Sequence, residues 1–223
     1  MQPLIIQILY WLHESKNTLG VEVMSKKMKV PVIVDEMNIV HQNRSINVSR
    51  VSWTSFFSAI QHTIKCSLEP YFVCSNANDN PSFAERRESF FDALRQRNIK
   101  VLEGFSVLDS SQKRLEKGVD VLVALQIYKE ALNGAKDIIV CSADSDLVPA
   151  ILEAQKLGAR VHVVISSSFP GYEITQIADT IISLEDLLLK MEARGNIKYV
   201  DTEKPGIRCN KRYYQQRLGN IAC

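Results

Sequence analysis

Asp144 and Asp146 stand two residues apart in the segment Cys141-Ser142-Ala143-Asp144-Ser145-Asp146-Leu147-Val148-Pro149. The apolar run Asp137-Ile138-Ile139-Val140 precedes them, and a helix-like run from Ala150 to Leu157, closed by Gly158, follows. A buried strand therefore hands over to a helix at a pair of carboxylates. Two more acids fall at places of the same kind. Asp35 ends the apolar run Val30-Pro31-Val32-Ile33-Val34 and is followed by Asn38, and Asp120 opens a helix in Lys117-Gly118-Val119-Asp120. Gathering such charges is costly, since two carboxylates about 4 Å apart repel by roughly 4 kcal/mol at an effective dielectric near 20. A cluster of four persists when some members protonate or when cations neutralise them. Donors that are all oxygen select hard ions, Mg2+ or Mn2+ over Zn2+. One or two such ions on a phosphodiester polarise the phosphoryl oxygen, activate a water and steady the leaving oxygen. That chemistry requires no His, Ser or Cys triad.

Each of these residues also has a plainer use. Asp144 or Asp146 can cap the helix that begins there, a task Asp performs well, although one cap does not need two acids. Asp35 can be a turn residue at a strand end, and Asp120 a first-turn acid favoured by the helix dipole. Asn38 reads equally as a ligand-orienting amide or a turn residue, and Lys117 as a phosphate contact or a surface charge.

The elements that must position these acids follow from periodicity. Val30 to Asp35 is a short, continuously apolar run rich in β-branched residues, as a central parallel strand reads. Helical spacing covers about 51–66, and Pro70 to Cys74 reads as a second strand. Pro81 to Asn98 reads as a helix with Pro in its first turn, and Ile99 to Leu102 as a third strand. Val119 to Leu132 is a helix ended by Asn133-Gly134. Ile138 to Cys141 is the fourth strand, 146–157 a helix, Arg160 to Ile165 the fifth strand and Thr180 to Leu184 a short sixth. Ser166-Ser167-Ser168 reads as a loop. Strands alternating with helices imply right-handed crossovers and a mostly parallel sheet covered on both faces. In a doubly wound sheet the first and fourth strands are commonly neighbours at the switch point, where ligands bind beyond the carboxyl ends of the strands. Asp35 would then face Asp144 and Asp146, with Asp120 entering from a flanking helix.

The 223 residues, 46% hydrophobic and 23% charged, suit one soluble core with appendages. The net charge of +2 is unevenly spread: residues 194–223 carry about +5 and the remainder about −3. Five cysteines without a CxxC pair fit a reducing cytosol better than a disulfide framework. Four histidines without HxxxH spacing speak against zinc. Leu4, Ile5, Ile8, Leu9 and Leu12 paint one stripe on a helix over residues 2–14, which packs on its own domain or meets a partner or a second copy. That stretch is about half a membrane span, with no basic lead and no small-residue cleavage site. A cytoplasmic protein with no membrane segment is expected.

Taken together, these segments resemble the NYN domain, a branch of the PIN-like nuclease superfamily. Val32-Ile33-Val34-Asp35-Glu36-Met37-Asn38 is similar to its opening Asp-x-x-Asn motif, and Lys117-Gly118-Val119-Asp120 to its second. Cys141 to Asp146 resembles its third, commonly Ser-Gly-Asp-Ser-Asp-Phe-x-Pro. Gly158 with Val161 to Val164, and Ile177-Ala178-Asp179-Thr180 to Leu184, look like the family's closing segments, nearest the LabA-like subgroup. The resemblance spans about residues 29–190. It implies an α/β, Rossmann-like PIN/NYN fold with a mostly parallel central sheet of five to six strands and helices on both faces. It divides the chain into an N-terminal helical extension (1–28), the nuclease domain (29–192) and a basic C-terminal tail (193–223). It implies metal-dependent endoribonuclease activity, with Asp35, Asp120, Asp144 and Asp146 as acidic ligands for Mg2+ or Mn2+ and Asn38 and Ser142 as helpers. The chain departs from the pattern at Ala143, where Gly is common and a positive φ would be strained, at Leu147 in place of Phe, and at Glu36 and Met37.

A phosphodiester site must also hold a polyanion. Lys113, Arg114 and Lys117 lead into the helix carrying Asp120 and are placed to touch RNA phosphates, or form a loop made basic for solubility. In the tail, Arg208, Lys211, Arg212 and Arg217 interleave with Tyr199, Tyr213 and Tyr214, a pattern suited to single-stranded nucleic acid or to tyrosines packed on the domain. The expected partner is RNA, single-stranded or structured. The alternatives are a non-catalytic RNA-binding or regulatory module of the same fold, and a PIN-like nuclease acting on DNA.

Overall fold

The computed structural model describes residues 29–76, 81–110, 114–169, 171–201 and 207. The stripe over 2–14, Lys113, and the tail residues Arg208, Lys211, Arg212, Tyr213, Tyr214 and Arg217 lie outside the described residues. In chain order the elements are β1 (Val30–Asp35), α1 (Glu36–Ser45), β2 (Val48–Val51), α2 (Trp53–Ile64), β3 (Leu68–Asn76), α3 (Pro81–Arg95), β4 (Lys100–Leu108) and β5 (Arg114–Lys117). They continue with α4 (Val119–Leu132), β6 (Asp137–Cys141), a 3-10 turn (Ser145–Leu147), α5 (Val148–Lys156), β7 (Arg160–Ile165), α6 (Tyr172–Ile177), β8 (Thr180–Ser183), α7 (Leu184–Glu192) and β9 (Ile197–Tyr199).

The main sheet has seven strands in the order β5-β4-β3-β1-β6-β7-β8, parallel throughout except for β5 at one edge. The expected five to six strands undercount it by the edge strand β5. The stretch read as a basic loop ahead of Asp120 is that strand, with Lys117 paired to Phe105 and Arg114 to Leu108. β4 also runs six residues past its predicted end at Leu102. Glu103-Gly104 interrupts the apolar run and reads as a stop, but Gly104 is where β5 comes close. A Cβ there would sit 2.7 Å from the Lys117 carbonyl oxygen, so only glycine lets the return strand approach.

Apolar residues alternate between the two faces of the sheet, as a period of two requires. Val32, Val34, Phe72, Cys74 and Ile139 face one core, closed by α1, α2, α3 and α7. Ile33, Val73, Ile138, Val140 and Val163 face the other, closed by α4, α5 and α6. Pro31 is tolerated in a central strand because pairing with β6 begins only at Val32. In the first core the Trp53 ring meets Phe72 and Phe56 edge-on, with centroids 4.9 and 5.7 Å apart.

A second ribbon pairs β2 with β9 antiparallel. Tyr199 packs against the first core and donates its hydroxyl to Glu192, and Ile207 is buried in the same core. Tyr199 is thus a packing residue rather than a free stacking ring. Cys66 is disulfide-bonded, and since Cys74 and Cys141 are free thiols its partner is not among the described residues. Cysteine spacing gives no sign of that bond. No helix among the described residues is long and apolar enough to cross a membrane.

Candidate functional site

β1 and β6 are neighbours, and the chain leaves them in opposite directions across the sheet, from β1 toward β3 and from β6 toward β7. Such a reversal leaves a crevice beyond the strand ends. Asp35 and Ser142, at or just past those ends, meet there. Asp35 is 4% exposed and caps α1, its Oδ1 accepting from the Asn38 N–H at 3.1 Å. Ser142 Oγ donates to Asp35 Oδ2 at 3.4 Å and accepts from the Asp144 N–H at 3.2 Å. Asp144 Oδ1 in turn accepts from the Asp146 N–H at 3.0 Å, so Asp144 does cap the 3-10 turn, as its plainer use requires. Asp144 is half-buried and Asp146 is exposed.

Asn38 locks these loops together. Its Oδ1 accepts from the Ala143 N–H at 2.9 Å and from Gln42 Nε2 at 2.8 Å. Gln42 Oε1 accepts from the Ser166 N–H at 2.8 Å, and the buried Glu185 carboxylate gathers Ser166 Oγ, Ser167 N–H and Ser167 Oγ at 2.8–3.0 Å. The serine run read as a loop is therefore tied into the floor of the site. Asn38 acts as a positioning residue, with both lone pairs of its oxygen used. Ala143 is not among the residues with positive φ, so its replacement of glycine brings no strain.

Asp120 arrives from the other side, in the first turn of α4. Gly118 caps that helix at φ +78°, a left-handed conformation that a side chain would oppose. The exposed carboxylate of Asp120 feels Asp144 and Asp146: burial, then those two charges, push its pKa up. Asp35 is pushed up to about 7, chiefly by burial and further by the charges of Asp120, Glu116 and Asp144, with the Asn38 N–H pulling the other way. The four aspartates thus share one electrostatic field at one sheet edge.

Glu116 is an acid that sequence reasoning missed. It lies on β5, accepts from Ser75 Oγ, and adds its charge to Asp35. The only sequence signal is the alternation Arg114-Leu115-Glu116-Lys117, hidden because no apolar run marks an edge strand. The same alternation turns Lys117 to the face opposite Glu116, beside Phe105. Lys117 is thus on the edge strand but not on the acids' face. Glu36, a departure from the family's first motif, is buried and grips Arg87 of α3 through both carboxylate oxygens. Arg87 also donates to the Ser75 carbonyl at 3.3 Å and lies over the Phe91 ring at 4.8 Å.

In kind, the donor set fits a hard divalent ion: carboxylates only, with mutual repulsion that a cation would relieve. As the side chains stand, no three Asp, Glu, His or Cys groups among the described residues are close enough to hold one ion together. Joint coordination requires side-chain rotation, and Asp120 and Asp146 are both exposed.

No curated protein is significantly similar in sequence. Among solved structures, a protein of unknown function from Vibrio parahaemolyticus RIMD 2210633 superposes with a TM-score of 0.57 at 18% identity, covering 72% of this chain and 95% of that one. That likeness speaks to the α/β fold alone. The family model of the NYN domain matches residues 29–185, from the start of β1 to the start of α7, with all four aspartates inside it. The chain belongs to the NYN domain family, a nuclease-like branch of the PIN-like superfamily.

Proposed function

We propose that this protein is a metal-dependent endoribonuclease that hydrolyses RNA phosphodiester bonds at the edge where β1, β6 and α4 meet. The observation that carries this reading is the burial of Asp35 within the field of three other acids, which raises it to about 7. A chain gains nothing in stability from such an arrangement, and perturbed carboxylates in a crevice are characteristic of working sites. Asp35, Asp120, Asp144 and Asp146 would hold Mg2+ or Mn2+. When bound, the ion supplies Lewis acidity and an activated water. Near pH 7 Asp35 is poised to hold or release a proton, while Asn38, Ser142 and Gln42 fix the loops around it.

Asp144→Asn tests the reading. Incubated with total RNA and Mn2+, the wild type is expected to cleave and the variant to be inactive, with EDTA silencing the wild type. The melting temperature of the variant should equal or exceed that of the wild type, because a repulsive charge is gone. Cleavage retained in the variant would reject the assignment. The separation of the carboxylates favours one second reading, a non-catalytic RNA-binding module of the same fold. RNA binding without cleavage, and no rise in melting temperature with Mn2+, would support it.

A further inference from the structure

A cavity of about 480 Å3 opens on the face covered by α1, α2 and α3, away from the carboxylates. Its walls come from the second half of α1, the β2–β9 ribbon, the first turn of α2 and the last turns of α3. Arg50, Arg97 and Lys198 line it, and among the described residues no Asp or Glu does. None of these three cations forms an ion pair among the described residues. Trp53 and Phe90 supply aromatic wall.

Asn43 is part of the same wall. The residue is 3% exposed, and its Oδ1 accepts no hydrogen bond among the described residues. Buried amides are nearly always paired, and the described residues provide no donor for this oxygen, which is covered as the side chain stands and meets the cavity only when the side chain turns. The cavity is also bounded by the N-terminus of α2, a twelve-residue helix capped by Ser52. Its first-turn N–H groups and dipole favour an anion. A ligand that satisfies all of these features carries negative charge, offers an N–H donor, and has a flat apolar body. The volume lies within the range of small-molecule sites.

We propose that this cavity is a nucleotide-binding subsite. The phosphate lies toward the α2 N-terminus among Arg50, Arg97 and Lys198. The base enters against Trp53 and Phe90, and the Asn43 side chain turns to present its Oδ1 to a ring N–H or exocyclic amine. Positive charge for the backbone and aromatic surface for the base is how single strands are held. Asn43 lies eight residues beyond Asp35, about 12 Å along α1, so a nucleotide held here can belong to a strand that continues to the acidic edge. That continuity rests on the RNA reading above, whereas the subsite itself does not require cleavage.

Fluorescence of Trp53 reports on the cavity directly. The chain has two tryptophans, so Trp11→Phe in the full-length protein leaves Trp53 as the only one. That protein is titrated in EDTA with adenosine monophosphate and with a short single-stranded RNA. A saturable change is expected with the RNA. It should weaken roughly tenfold or more in Arg50→Glu/Arg97→Glu. Asn43→Leu should weaken it as well while keeping or raising the melting temperature, a combination that a purely structural asparagine would not give. A matching change with the mononucleotide makes free nucleotide a ligand too, and its absence confines the subsite to a strand. Because EDTA removes any metal-dependent cleavage, binding read here stands or falls separately from the nuclease reading. No saturable change with either ligand at millimolar concentration, or one unaltered by both sets of substitutions, overturns it.

Discussion

Asp35 is both the cap of α1 and the most perturbed acid of the site. Its folded pKa, pushed up to about 7, lies above the ordinary 3.8, so the folded protein favours its protonated form. The resulting penalty is absent below about pH 4, grows as pH rises, and is complete above about pH 7. At 1.36 kcal/mol per unit it reaches roughly 4 kcal/mol at pH 8. Asn at this position keeps the acceptor for the Asn38 N–H and removes the charge. In EDTA, Asp35→Asn should therefore match the wild type in stability near pH 4 and exceed it increasingly toward pH 8, as read by melting temperature across the range. A gain that shrinks with rising pH would contradict the assignment. The aspartates themselves are legible in the sequence because each ends a strand or opens a helix. Glu116 is not, because it sits on an edge strand whose alternation carries no apolar face.

α1 is held to the sheet by polar contacts rather than by an apolar stripe. Ile39 is its one fully buried apolar side chain, and Glu36, Gln42 and Asn43 are buried beside it. Its helical period therefore leaves no mark in the sequence, whereas α4, rich in apolar residues on every side, is legible to both of its ends. The Glu36–Arg87 pair bolts the first turn of α1 to α3. Removing one partner of a buried pair leaves the other charge unpaired, so Glu36→Leu should cost about 3 kcal/mol in a denaturant melt. Glu36→Leu/Arg87→Leu should recover much of that loss. If the double variant is no better than the single, Glu36 contributes through packing and not through its charge.

The molecule has a doubly wound sheet whose order can be inferred from alternating strands and helices, with β1 beside β6 as the switch point requires. The long-range ribbon β2–β9 and the return of Ile207 to the core cannot, since three- and four-residue strands carry too little pattern. That ribbon and Ile207 decide where the basic C-terminal segment can be cut. Removing 196–223 would strip β9 and Ile207 from the core and destabilise the fold. Removing 208–223 spares them and takes away Arg208, Lys211, Arg212 and Arg217. Measured with reductant, so that the Cys66 disulfide is open in both proteins, the shorter deletion should leave the melting temperature nearly unchanged and flatten the salt dependence of RNA affinity by about 0.7 in slope for each phosphate that the tail neutralises. An unchanged slope would exclude the tail from the interface. The whole nuclease reading turns on whether the acidic edge takes up a hard divalent ion. Calorimetric titration of the folded protein with Mn2+ at pH 7, repeated in buffers of different ionisation enthalpy, tests this most directly. Saturable binding with proton release is predicted for the wild type, weakened at least roughly tenfold in Asp35→Asn. No binding at millimolar Mn2+, or binding that is the same in both proteins, would contradict it.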